Sequence, residues 1–195
     1  MMSAETLLSK RNCGIGPDGQ FVIASYLFQR DLFSGVRARE WSQSAISTLL
    51  ELARLPTDRI HGLLVACHHS LDKGEIEEGR QYLDRAFEVV ETSRLSVTYA
   101  AHIVWVEKAF FAAYYDHDVK LARKMLAEAD LNYECLRYGK LIAKAAIEVE
   151  ALRMPEAQAT LLEVEDELNH TRRRTGCNVE RGTEIIADLR SKLKL

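Results

Sequence analysis

Three segments of this 195-residue chain share one helical pattern, and their repetition restricts the fold more than any other feature of the sequence. The segments read EIEEGRQYLDRAFEV, HDVKLARKMLAEADL and MPEAQATLLEVEDEL. In each, a Gly or Ala is followed four residues later by Leu and three residues after that by Ala or Val, which places all three on one helix face. The aligned triplets are Gly79, Leu83 and Ala86; Ala122, Leu126 and Ala129; and Ala157, Leu161 and Val164.

The spacing of these triplets predicts an array of helical hairpins. Gly79 and Ala122 are 43 residues apart, and Ala122 and Ala157 are 35 apart, which brackets the period of helical-hairpin repeats. A single hairpin cannot bury its own apolar face, so neighbouring hairpins must stack. We therefore expect an all-α fold, a short right-handed solenoid of hairpins. Its predicted parts are an N-terminal extension with one helix (1–41) and a repeat domain (42–195), with hairpins at about 57–92, 95–130 and 131–173 and a capping helix at about 178–194.

Composition agrees with a helical fold. The chain has only 10 Gly and 3 Pro, too few for the many turns of a sandwich or barrel, and its 47% hydrophobic content is that of a folded protein. Four helix starts can be read locally, because Asp18, Ser42, Thr57 and Asp118 each stand at an N-cap position. A net charge of −3 gives the chain no general attraction for nucleic acid or anionic membranes.

Cysteine usage and the N-terminal residues predict a cytoplasmic protein. The four cysteines, at positions 13, 67, 135 and 177, are far apart and form no CxxC pair, which favours reduced thiols. The stretch MMSAETLLSKRN lacks the apolar region of a signal peptide, and FVIASYLF is too short to span a bilayer. We expect no membrane insertion, no cofactor and no small-molecule substrate, and we leave open whether the chain forms a homodimer.

The aligned triplets resemble the second-helix pattern of tetratricopeptide repeats, and LDKGE resembles the turn between the two helices of that repeat. The chain departs from the family in two respects. The aromatic residue expected early in the first helix is absent, and no proline closes each unit. The resemblance covers about residues 57–168 and implies a helical repeat protein that binds other proteins.

A second resemblance covers more of the chain. Four segments are similar to the cytoplasmic tail of certain bacterial site-2-protease-like membrane metallopeptidases. They are SGVRAREW, LDKGEIEEGRQYLDRAFE, WVEKAFFAAYYDHDVKLARKML and AKAAIEVEALRMPEAQATL. In that tail a Gly-Arg-Pro-Arg-Asp-Trp-like segment precedes degenerate helical repeats. Gly35, Arg37, Arg39 and Trp41 fit this segment, while Ala and Glu stand where its Pro and Asp are expected. The chain has no HExxH, so the resemblance implies a detached tail-like repeat domain without peptidase activity.

The run Cys67-His68-His69 invites a metal-site interpretation, which helical geometry does not favour. Metal ligands that converge from one helix stand at i and i+3 or i+4, whereas adjacent residues point about 100° apart. We predict a packed Cys67 followed by two partly exposed histidines, and no metal site. The segment Asp116-His117-Asp118 lacks the spacing of a calcium loop, and Asp118 as an N-cap explains it more simply.

A groove formed by the first helices of the hairpins is the predicted partner site. Glu107 interrupts the apolar stretch IVWVEKAFF, and a buried carboxylate needs a partner. Aromatic residues with a few polar anchors are suited to peptide recognition. The predicted partner-binding residues are His61, His68, Glu107, Phe111, Tyr114 and Tyr115. The alternative is that Phe111 and Tyr114 belong to the core and that Glu107 pairs with a Lys or Arg.

The leading functional prediction is a non-enzymatic interaction or scaffold module that binds a protein or peptide segment in this groove. One alternative is a regulatory or vestigial component of a membrane metallopeptidase system. Another is nucleic-acid binding by the basic C-terminal tail, which from Thr171 onward carries seven basic residues against three acidic ones. Those cations also suit a helix C-terminus, where they offset the negative end of the helix dipole.

Overall fold

A computed structural model of the chain describes residues 16–33, 38–96, 98–129, 136–175 and 180–193. These residues form α-helices joined by turns, and none of them lies in a strand, so the predicted all-α class is confirmed. The chain divides into two compact units, Met1–Ser96 and Val97–Leu195, which we call the N-terminal unit and the C-terminal unit. This division lies 55 residues beyond the boundary predicted from the sequence at residues 41 and 42.

The N-terminal unit is built from four described helices and one 3-10 turn. They are α1 (Pro17–Phe33), the 3-10 turn (Ala38–Glu40), α2 (Gln43–Leu52), α3 (Pro56–Asp72) and α4 (Ile76–Thr92). The predicted N-cap at Ser42 is confirmed, because its hydroxyl accepts a hydrogen bond from the backbone N–H of Ala45. The predicted N-caps at Asp18 and Thr57 are wrong, because both residues lie inside helices that start one residue earlier, at Pro17 and Pro56. Proline suits a first helical position, since its missing N–H loses no hydrogen bond there.

Helix α1 shares a hydrophobic core with α2. This shared core explains why α1 is part of the N-terminal unit and not a separate extension. Phe21 and Phe28 of α1 are buried against Trp41 and Ile46. The Phe28 and Trp41 rings meet edge to face, with centroids 4.5 Å apart. Two other members of the SGVRAREW segment, Gly35 and Arg37, lie outside the described residues.

Helices α3 and α4 pack as an antiparallel pair joined by the DKGE turn. Gly74 occupies this turn at φ +81°, a left-handed conformation that glycine adopts without steric cost. Gly79 then brings the two helices close together. A Cβ atom at Gly79 would lie 2.8 Å from Leu71 Cδ2, so the absence of a side chain here is what permits the contact.

The C-terminal unit is built from five described helices. They are α5 (Tyr99–Tyr114), α6 (Val119–Glu128), α7 (Arg137–Glu150), α8 (Met154–Thr175) and α9 (Glu180–Lys192). Helix α5 packs against α6 and α7, α7 packs against α8, and α9 contacts both α7 and α8. The predicted N-cap at Asp118 is confirmed, because its carboxylate accepts a hydrogen bond from Leu121 N at 2.9 Å.

Eight of the nine aligned triplet positions are buried. The exception is Leu126, which is half-buried, while its neighbour Met125 is buried at 6% exposure. Helix α6 is therefore rotated slightly from the register that the alignment implies, so that Met125 faces the interior more fully. Burial at Gly79, Ala122 and Ala157 agrees with the predicted role of small residues in close helix packing.

Candidate partner-binding residues

His61 and His68 lie two turns apart on α3, and both are half-buried. Burial lowers the pKa of His61 below the ordinary value of 6.5, because the charged imidazolium is poorly solvated there. The nearby Asp58 carboxylate acts in the opposite direction and raises the same pKa, but by less. At neutral pH His61 is therefore a neutral ring that can both donate and accept a hydrogen bond.

His69 differs from its predicted environment. It was expected to be partly exposed, but it is only 3% exposed, so that prediction is wrong. Its Nδ1 lies 2.7 Å from the carbonyl oxygen of Ala38, and the N–H of the same Ala38 donates to Asp72 Oδ2 at 2.9 Å. His69 and Asp72 stand one turn apart on α3. Together they hold both backbone groups of one residue in the 3-10 turn, which accounts for the burial.

The geometry around Cys67 is that of a packed side chain. Cys67 is buried, with 1% of its surface exposed. Among the residues that the structure describes, no three His, Cys, Asp or Glu side chains come together as a set that could hold a metal ion. His69 already uses Nδ1 for the Ala38 carbonyl, so the Cys67-His68-His69 run is explained by packing and backbone attachment.

The C-terminal end of α5 carries a cluster of aromatic rings. Phe110 stacks on Tyr114 with centroids 5.0 Å apart, and Tyr115 meets Phe111 at 4.7 Å. Tyr114 and Tyr115 contact each other edge to face at 4.9 Å. Phe110 and Phe111 are buried, whereas both tyrosines are half-buried. The cluster thus has an apolar base and two phenol rings at its solvent side, a combination that favours recognition by contact and hydrogen bonding.

Helix α9 is attached to this cluster at Tyr114. The Tyr114 hydroxyl donates a hydrogen bond to Asp188 Oδ2 at 2.7 Å, and the Lys192 ammonium lies 4.6 Å from the centroid of the Tyr114 ring. The sequence analysis did not find Asp188 or Lys192 as neighbours of Tyr114, because 74 residues separate Tyr114 from Asp188. The only signal available was that α9 is amphipathic and would need a helix to cover its apolar side.

The predicted partner-binding residues thus fall into two sets. His61 and His68 belong to the N-terminal unit, and each unit is described by itself. In the C-terminal unit the structure brings Phe111, Tyr114 and Tyr115 into direct contact. Glu107 stands one helical turn before Phe111 on α5 and is half-buried. Phe111, at 4% exposure, supports Tyr115 from the interior.

Two cations of the basic tail are engaged within the C-terminal unit. Arg190 binds Glu165 at 2.7 Å, and Lys192 lies 3.5 Å from Glu150 and 3.7 Å from Asp188. These ion pairs reduce the positive charge that α9 presents to solvent. The side chains of Arg172, Arg173, Arg174 and Arg181, and the whole of Lys194, lie outside the described residues.

Comparison of the chain with protein families, with curated proteins and with solved structures gives no match. Within the described ranges, none of the helices is both long enough and apolar enough to cross a membrane.

Proposed function

We propose that this chain is a non-enzymatic interaction module that binds a segment of a partner protein on the exposed side of α5, one of its first helices. The proposal draws on both resemblances noted above, to tetratricopeptide repeats and to the repeat-containing tail of membrane metallopeptidases. It is carried by one observation in particular. At the end of α5, two half-buried tyrosines stand on a buried phenylalanine base, one turn after the half-buried carboxylate of Glu107.

The chemistry of this surface supports segment binding. Tyrosine rings provide large, rigid contact area with little loss of side-chain entropy, and their hydroxyls still form hydrogen bonds when a partner covers them. The Glu107 carboxylate could pair with a basic residue of the partner segment. Because the site is half-buried, such an ion pair would be stronger there than in water. On α3, in the N-terminal unit, the half-buried His61 and His68 offer separate polar contacts. A partner segment with a basic residue and apolar side chains fits the α5 part of this surface.

The experiment is affinity capture from a cell extract, followed by mass spectrometry and repeated with matched variants. Glu107→Gln removes the carboxylate charge at nearly constant size, and Tyr115→Ala removes the second tyrosine ring of the cluster. Tyr114→Ala is avoided, because Tyr114 is bonded to Asp188 and its removal would disturb α9 as well. We expect Glu107→Gln and Tyr115→Ala to reduce recovery of the same captured protein by at least tenfold.

Two controls make this result specific. Glu163→Gln changes an exposed carboxylate on α8, and Tyr26→Ala removes an exposed tyrosine of α1 that is 66% accessible. Both should capture the partner as the wild type does. Equal capture by all five proteins would overturn the assignment of the surface to α5. A melting temperature lowered by more than about 5 °C in Tyr115→Ala would assign that ring to the core instead.

The alternative is nucleic-acid binding by the basic tail, in which the two described cations, Arg190 and Lys192, are paired with carboxylates. It predicts retention of DNA or RNA that falls steeply as salt rises.

A further inference from the structure

A second surface of the C-terminal unit has the features of a binding site and involves none of the predicted partner-binding residues. It is a cavity of about 340 Å³ between α6, α7 and the turn after α7. Its volume lies at the lower end of the range for ligand sites. The cavity is lined by Arg123, Leu126, Ala127, Ala129, Lys144, Ile147, Glu148 and Arg153. We call it the basic trough.

The basic trough combines an apolar floor with a positively charged rim. Ala129 and Ile147 are buried in the floor, while the rim residues Arg123, Lys144 and Arg153 are exposed. Within the described part of the chain, neither arginine forms an ion pair, and Lys144 approaches Glu148 only to 3.9 Å. Three cations therefore surround a site whose wall holds one carboxylate. The excess positive charge would attract a negatively charged group.

Glu148 gives the trough an acceptor as well. Its side chain is 12% exposed, and its Oε2 is buried without a hydrogen-bond partner among the described residues. A buried acceptor in this state is stabilised by any donor that reaches it. A main-chain N–H of a bound peptide is such a donor, and it carries no charge that the three rim cations would repel.

We propose that the basic trough binds a short acidic segment of a partner protein, with one aliphatic side chain on the apolar floor and flanking carboxylates paired with Arg123 and Arg153. Four of the eight lining residues are exposed, so the trough covers only one side of its occupant. Small-molecule sites usually enclose most of their ligand, whereas a segment passing across a surface needs only one side covered. Charge complementarity and openness together favour the acidic segment over a small amphipathic anion.

This inference is independent of the proposed function, because the trough lies on α6 and α7 and shares no residue with the surface on α5. The test uses the full chain and a fluorescein-labelled peptide, Gly-Asp-Glu-Leu-Glu-Asp-Gly, followed by fluorescence anisotropy at low salt. We expect saturable binding that weakens at least tenfold when the four side-chain carboxylates of the peptide are replaced by amides. Replacement of its Leu by Ser should also weaken binding severalfold, because the apolar floor then loses its occupant.

Variants of the protein locate the binding. Arg123→Glu combined with Arg153→Glu should weaken binding of the peptide at least tenfold. The matched control is Lys120→Glu combined with Lys124→Glu, since both lysines are exposed on α6, neither lines the trough, and the change in net charge is the same. The control should change binding by less than threefold. Because all four positions are exposed, circular dichroism should show the wild-type helical signal for both double variants.

Two outcomes would overturn the inference. Equal weakening by both double variants would show attraction to the net charge of the protein rather than to the trough. Competition by octanoate at concentrations as low as those of the unlabelled peptide would show a site for a small amphipathic anion instead. The variants Glu107→Gln and Tyr115→Ala should bind the acidic peptide normally, so failure of the proposed function and failure of this inference are separately visible.

Discussion

Gly79 is a position where one added methyl group should change stability measurably. Alanine in place of a helical glycine usually stabilises by about 1 kcal/mol. At Gly79 the new Cβ would meet Leu71 Cδ2 at 2.8 Å and Leu71 Cγ at 2.9 Å, and overpacking of this kind costs about 1–3 kcal/mol. We expect Gly79→Ala to lower the free energy of unfolding by about 1 kcal/mol in urea denaturation.

A matched control for Gly79→Ala is Gly16→Ala, because a Cβ at Gly16 would have no neighbour within 4 Å. That variant should lie within about 0.5 kcal/mol of the wild type. If Gly79→Ala instead proved more stable than the wild type, the close approach of α3 and α4 would not be the reason for glycine at this position.

The lowered pKa of His61 predicts a pH dependence of stability. The unfolded chain binds a proton at His61 near pH 6.5, while the folded chain resists protonation until the pH is lower. Between these two pKa values the unfolded state holds more protons, so stability falls as the pH falls through about 6.5. We expect the melting temperature of His61→Gln to decrease less between pH 7 and pH 5.5 than that of the wild type.

His170→Gln is the control for this measurement, since His170 is exposed on α8. It should show the same decrease in melting temperature as the wild type. If His61→Gln also matched the wild type, burial of His61 would have no effect on its protonation.

At the residue scale, the features that sequence reasoning found are those decided by near neighbours. The N-caps at Ser42 and Asp118 depend on hydrogen bonds to residues three positions away. The burial of His69 depends on Ala38, which is 31 residues earlier. Helical periodicity placed His69 away from the apolar stripe and could not show that a 3-10 turn would cover it.

At the scale of elements, α9 is secured to the C-terminal unit through both apolar and polar contacts. Ile186, Leu189 and Leu193 are buried, as the amphipathic spacing predicts. Tyr114→Phe removes only the hydrogen bond to Asp188 and keeps the stacked ring. A hydrogen bond to a charged acceptor contributes about 1.5–3 kcal/mol, and less where the acceptor is well solvated. We expect a loss of about 1 kcal/mol in the free energy of unfolding.

Hydrogen exchange should show where this loss acts. Amide protons of α9 should exchange faster in Tyr114→Phe, while those of α3 and α4 stay unchanged. Tyr26→Phe, which alters a tyrosine that is 66% exposed, serves as the control and should leave exchange in α9 as in the wild type. Unchanged exchange of α9 in Tyr114→Phe would mean that apolar burial alone holds the helix. The sequence could not predict where α9 packs, because an amphipathic pattern shows that one helix face is buried but does not show which helices cover it.

At the scale of the whole molecule, the division after Ser96 predicts where a protease first acts between the units. Arg94 is exposed, stands beyond the end of α4 and has a left-handed backbone at φ 53°. Proteases cleave exposed connections before they cleave helices, because a helix must unfold locally before it fits the active site of the protease. We expect limited trypsin digestion to cut after Arg94 earlier than after the helical Arg85.

Mass spectrometry of the early digest checks this order of cleavage. Arg94→Gln should abolish the early cut near the boundary, whereas Arg85→Gln should leave it in place. Earlier cleavage after Arg85 would mean that α4 opens more readily than the connection. The sequence alone predicted the helical content of this region and a boundary between residues 41 and 42, because Phe21 and Phe28 fit one amphipathic helix. Their contact with Trp41 and Ile46 makes α1 part of the first unit.

Three described residues other than glycine have left-handed backbones, and each follows the end of a helix: Arg94 after α4, His117 after α5 and Leu152 after α7. A side chain in this conformation costs about 1–2 kcal/mol, somewhat more than the entropy that glycine would lose there. Arg94 and Leu152 are exposed, so glycine at either site sacrifices little packing. We therefore expect Arg94→Gly and Leu152→Gly each to raise the free energy of unfolding slightly. A background carrying both glycines would tolerate costly substitutions on the proposed binding surfaces, which makes it the natural starting point for mapping them.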